Sequence, residues 1–141
     1  MTAEGAEFLQ KLNERATDQG LTRLLGLKVE DLAPGFARVS LQCREEFANV
    51  LGMIHGTAVF ALLDEAFQLA ANSHGNVAVA LQMSLTFHQA PDLKERLTAE
   101  ARELHAGRRT ASYLIRVTDP AGQLIASCQA LAYRKGKPVE I

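Results

Sequence analysis

The stretch from Asn49 to Gly75, NVLGMIHGTAVFALLDEAFQLAANSHG, constrains the fold more than any other part of the chain. A glycine-punctuated loop leads into the longest helix-compatible apolar run, and between Thr57 and Ala71 only Thr57, Asp64, Glu65 and Gln68 are polar. A helix this apolar belongs in a core, not on a surface. Counted from Thr57, the residues Asp64, Gln68 and Asn72 follow at seven, eleven and fifteen positions. Those spacings lie near multiples of the ~3.6-residue helical repeat, so the polar positions form one narrow seam on a buried rod. The carboxylate of Asp64 on that seam is the feature to be explained.

The chain as a whole is sized for one compact domain spanning residues 1–141: 48% of its residues are hydrophobic, 22% are charged, and its net charge is −1. Fifteen basic residues against sixteen acidic ones leave no net field to attract nucleic acid or an anionic membrane. The N-terminus lacks a basic segment followed by an apolar one, and no run approaches the ~18–20 apolar residues of a membrane span. The expected location is the cytoplasm, with neither nucleic acid nor membrane as partner. Cys43 and Cys128 are far apart and lack redox or zinc spacing, which reads as two reduced, core-filling thiols.

In chain order, residues 4–19 form an amphipathic, peripheral helix with Phe8, Leu9, Leu12 and Ala16 on one face and Gly20 as its C-cap. Lys28 to Leu32 and Phe36 to Cys43 flank the turn at Pro34 and Gly35 as a hairpin. Beyond Gly75 the pattern turns to strands at 77–87, 97–104, 110–118 and 124–133, separated by short turns that make antiparallel neighbours. Residues 134–141 read as a frayed tail. The expected fold class is α+β, one long helix wrapped by an antiparallel sheet of about six strands. Its exposed edge strands invite side-by-side pairing into a homodimer.

Two places on the central helix carry chemical potential. Its N-terminus is a ready-made site for an anion or a polarised carbonyl, because the first backbone N–H groups have no helical partner. The N–H of Gly56 or Thr57 could act there as an oxyanion-hole donor; equally, Gly56 is a hinge and Thr57 an N-cap. The other place is Asp64, which must be paired, neutralised or used. An arginine from a neighbouring strand would pair it, and partial desolvation would make it a base or nucleophile. Glu65 lies ~100° round the helix and is expected to be a pairing residue. The four histidines show no metal-ligand spacing, and no metal or cofactor is expected.

Gly56 and Asp64 are eight residues apart, about 12 Å along a helix. One helix can scarcely bring both to the same carbonyl, whereas two antiparallel helices related by a two-fold axis can. The expected site is therefore composite, two per dimer. Arg108 and Arg109 stand in a turn between strands, where guanidinium groups can bind phosphates or simply face solvent. Tyr133, Arg134 and Lys135 can join the same patch.

The spaced set Asn49, Gly52, His55, Gly56, Thr57, Phe60, Leu62, Asp64, Ala66 and Phe67, followed by Ala71 to Ser73, Gly107 to Arg109 and the pair Tyr133 and Arg134, resembles the PaaI-like hotdog-fold acyl-CoA thioesterases of the phenylacetic acid degradation type. The resemblance implies hydrolysis of an aryl (phenylacetyl-type) or medium-chain acyl-CoA to free acid and CoA, in a homodimer or a homotetramer built as a dimer of dimers. It implies that Gly56 offers its N–H to the thioester carbonyl and that Asp64 of the opposing subunit is nucleophile or general base. His55 and Asn49 would shape the site, Thr57 and Gln68 would contact substrate, and Arg108 and Arg109 would hold the nucleotide end of CoA. The chain departs from the pattern in reading His-Gly-Thr for the common His-Gly-Gly. It also offers only Ala78 and Ala80 where some relatives have a hydroxyl beside the carboxylate. The alternatives on the same fold are an acyl-thioester dehydratase or hydratase with His55 as base, and a non-catalytic acyl-CoA-binding module.

Overall fold

The computed structural model describes residues 1–141. Helix α1 (Ala3–Thr17) is capped at its start by Thr2, whose hydroxyl accepts from Gly5 N at 3.1 Å. It ends at Asp18, so Gly20 is not its cap: Gly20 opens a second short helix, α2 (Gly20–Leu25). The left-handed residue that stops this segment is Gly26, at φ 72°, where a side chain would be strained. Strands β1 (Leu27–Ala33) and β2 (Phe36–Gln42) make the expected hairpin, with Gly35 at φ 70° in the turn.

A short 3-10 turn (Glu45–Phe47) and a loop lead to α3 (Gly56–Asn72). Then come β3 (Asn76–Phe87), β4 (Arg96–Ala106), β5 (Thr110–Thr118) and β6 (Leu124–Pro138). All six strands form one antiparallel sheet in the order β1-β2-β4-β5-β6-β3, with α3 packed across its inner face. This is the hotdog arrangement that the resemblance implies. Leu62, Leu63 and Ala66 of α3 are fully buried against inward residues such as Val39, Ala99, Ile115 and Ala132. Small residues on the inner face, among them Ala99, Ala101, Ala126, Ala130 and Ala132, let the sheet come close to the helix. No helix is long and apolar enough to cross a membrane.

The tail is where the structure departs most from the sequence pattern. Residues 134–138 continue β6, with Arg134 opposite Ala78 and Pro138 opposite Asn76. Val139 N then donates to Gly75 O at 2.9 Å, and Ile141 packs against the core. Charged and glycine-rich composition suggested fraying. Backbone pairing with the start of β3 overrides it, because those N–H and C=O groups find partners there that the local sequence does not reveal. Ending the chain at Arg134 should lower the thermal midpoint by about 5 °C or more, taking ~2–4 °C per kcal/mol for a chain of this size. An unchanged midpoint in a thermal melt would show that the segment contributes nothing.

Candidate active site

The loop before α3 is built by Asn49. Its side-chain Oδ1 accepts from Leu51 N at 2.9 Å and Met53 N at 3.2 Å, and its backbone N donates to Met53 O. The Asn49 side-chain NH2 makes no bond within the chain. His55, not Thr57, caps the helix: its Nδ1 accepts from Thr57 N at 3.1 Å, and its carbonyl receives Ala58 N and Val59 N. This settles which N–H is available. Thr57 N is already bound by the imidazole, whereas Gly56 N has no partner and remains the free donor at the positive end of the helix. Because Nδ1 accepts, the proton of neutral His55 sits on Nε2, which points a donor outward.

Gly56 has no positive φ, and what a side chain would meet here is a tight contact with a neighbouring ring. A Cβ at this position would lie 3.0 Å from Cζ of Phe87, at the end of β3. Phe87 was not singled out by the sequence, since its contact with Gly56 spans a helix and a strand. Together with Met53, Ile54, Val59 and Pro91, these two residues line a cavity of about 330 Å³ at the helix N-terminus.

Asp64 opens into a different cavity, of about 210 Å³, bounded by Phe67, Gln68, Ala71 and residues Ala78 to Ala80 of β3. None of the residues lining one cavity lines the other. The Asp64 carboxylate is half-buried and makes neither an ion pair nor a hydrogen bond within the chain, so the arginine partner considered from sequence is not there. Burial alone holds its carboxyl above the usual range. Glu65 is the paired acid: 8% exposed, it receives Gln68 Nε2 at 2.6 Å and Gln19 Nε2 at 3.2 Å. Its carboxyl is also raised, chiefly by burial, with those hydrogen bonds opposing the shift.

The seam predicted on the central helix is the only open face of α3. Thr57, Phe60, Ala61, Asp64, Gln68 and Asn72 are exposed or half-buried, and every other residue of the helix after Gly56 is buried. Asn72 is committed to structure: its side chain donates to Ala78 O and accepts from Ala78 N, pinning the start of β3. Ser73 ends the helix, bonding Ala70 O and accepting Gly35 N. Arg108 and Arg109 are exposed in the β4–β5 turn without ion pairs, and Arg134 braces that turn through Gly107 O and Arg109 O. This basic cluster lies at the Ala78 end of the sheet, away from the Gly56 cavity.

The sequence profile of the thioesterase superfamily matches residues 51–126. The chain is 30% identical to the acyl-coenzyme A thioesterase PaaI of Escherichia coli over 81% of either chain. Structural superposition on that PaaI gives a TM-score of 0.87 over 94% of this chain and 98% of the other, at 27% identity. A variant of the phenylacetic acid degradation protein PaaI of Thermus thermophilus is 36% identical, with a TM-score of 0.79 over 82% of this chain and 99% of its own. A Streptococcus mutans protein solved with acetyl CoA bound superposes with a TM-score of 0.77 at 26% identity, over 80% of this chain and 91% of that one.

The state of Asp64 has a measurable consequence. Because its folded pKa is raised above 3.8, the stability this group contributes is full below that value and is lost as pH rises through the folded pKa. Asp64→Asn should therefore melt at a higher temperature than the wild type near pH 7 and show no such advantage near pH 3. Equal melting at neutral pH would mean that the charge is compensated in the assembled protein.

Proposed function

The chain belongs to the thioesterase superfamily as a PaaI-like hotdog acyl-CoA thioesterase, and from that premise we propose that each active site is shared between two copies of it. The observation that supports this most is the separation of the two chemical groups. The free N–H of Gly56 and the unpaired carboxylate of Asp64 are about 12 Å apart along one helix and open to separate cavities. Two α3 helices packed antiparallel through their open faces bring Gly56 of one copy toward Asp64 of the other.

The sheet edges support the same arrangement. The outer edge of β1 is protected by Lys28, Glu30 and Asp31 and by a bulge between Val29 and Asp31. The outer edge of β3 is twelve residues long, carries no charge, and exposes Val79 and Leu81. It is the edge suited to pairing with its own copy.

In the composite site, Gly56 N–H polarises the thioester carbonyl, and the helix dipole adds to the effect. Asp64 of the facing copy takes a proton from water as the water oxygen bonds to the carbonyl carbon. Collapse of the tetrahedral intermediate then breaks the C–S bond as Asp64 returns its proton to the leaving sulfur, releasing the free acid and the CoA thiol. The outward Nε2–H of His55, the unbonded amide of Asn49 and the Thr57 hydroxyl surround the carbonyl end, and Gln68 stands beside Asp64. Arg108 and Arg109, with Arg134 and Lys135 nearby, are suited to the phosphates of CoA. The apolar walls of the Gly56 cavity suit an aryl or medium-chain acyl group. A dehydratase would need His55 as base. In the bonded tautomer its acceptor nitrogen is taken by Thr57 N, which disfavours that role.

The wild type should release thiol from acyl-CoA substrates, and Asp64→Asn should lower kcat by about 100- to 10,000-fold. No release by the wild type from a panel of aryl and straight-chain acyl-CoAs, or wild-type rates in the variant, would refute the proposal. Lysines at Val79 and Leu81 should yield a folded, inactive monomer in size-exclusion chromatography and activity assays. A monomer that still turned over would overturn the shared site.

A further inference from the structure

The only polar side chain lining the cavity with Asp64 is that of Gln68, and its amide is held in one orientation. A primary amide has two N–H donors and one carbonyl acceptor. Gln68 Nε2 donates at 2.6 Å to Glu65 Oε2 and at 3.2 Å to Gln19 Oε1, so both donors are used. Gln19 is itself fixed, because its Nε2 donates to Glu65 Oε1 and to Ala16 O, each at 3.2 Å. Turning the Gln68 amide over would set its carbonyl against a buried carboxylate, acceptor against acceptor. The carbonyl Oε1 is left without a partner.

Helix spacing places that side chain beside Asp64. Gln68 lies three residues after Glu65 and four after Asp64, so its side chain sits over the gap between them. With its NH2 held by Glu65 and Gln19, Oε1 is the atom of that amide still free to bond a water in the cavity that Gln68 shares with Asp64. The opposite wall of the cavity, Ala78 to Ala80, has no hydroxyl. We propose that Gln68 is the water-positioning residue of this enzyme: its Oε1 accepts one hydrogen of the attacking water while Asp64 removes the other. Two acceptors on one side of the water turn its lone pair toward the carbonyl carbon. Glu65 and Gln19 are positioning residues that act through Gln68, and Gln19 makes the junction between α1 and α2 part of the catalytic apparatus. This inference rests on the proposed hydrolysis at Asp64.

The test is steady-state hydrolysis of the acyl-CoA panel by the wild type, Gln68→Met and Gln19→Leu, with circular dichroism to confirm folding. Gln68→Met keeps the length of the side chain and removes the acceptor. It should lower kcat about tenfold or more while KM stays within about twofold, the pattern of a group that acts on the water and not on substrate binding. Gln19→Leu should lower kcat by a smaller factor at unchanged KM, because Glu65 still holds one N–H of Gln68; it decides the question if Gln68→Met does not fold. Wild-type kcat in the variants, or a raised KM with kcat intact, overturns the inference and leaves the thioesterase function standing. Absence of thiol release by the wild type removes both.

Discussion

The molecule depends on one helix that is enclosed by a sheet along all but one stripe and carries a carboxylate on that stripe with nothing to neutralise it. Enclosure supplies stability: Leu62, Leu63 and Ala66 have no exposed surface at all. The open stripe leaves the Asp64 carboxylate accessible, and partial burial makes its charged form less favourable than in water. Glu65, its neighbour in sequence, shows the other outcome for a carboxylate on a buried helix. Two glutamine amides hold it, and it faces the fold's interior instead of the open stripe. A rotation of ~100° separates the two roles.

Much of this was legible in the sequence because it is written in local periodicity. The 3.6-residue spacing marked the helix and its polar seam. Alternation and turn residues marked five strands closely and the sixth up to Tyr133. What could not be read depends on contacts between distant segments. The end of β6 lacks the composition of a strand and is held by pairing with Asn76 and Ala78. Helix α2 is six residues long, too short to leave a periodic signature.

The same division runs through the candidate site. Gly56 and Asp64 stand out from their neighbours, and their separation follows from helix geometry alone. Which N–H is free at the helix start depends on where one imidazole nitrogen lies, and that is visible only once His55 is seen to bond Thr57 N. Phe87 and Gln19 could not have been singled out. Their importance comes from a steric contact across 31 residues of chain and from a hydrogen bond across 46. No local pattern encodes either.

The position of β3 has a consequence for how the chain reaches this state. Its one neighbour within the sheet is β6, the last strand to be synthesised, with Asn76 paired to Pro138. During translation the β1-β2 hairpin and the β4-β5 hairpin can assemble from segments already made, while β3 stays unpaired on both sides until β6 emerges. For that interval an uncharged, apolar-rich segment of twelve residues is exposed, a hazard for adhesion between nascent chains. The edge proposed to join two finished subunits is thus also the part of the nascent chain most in need of protection.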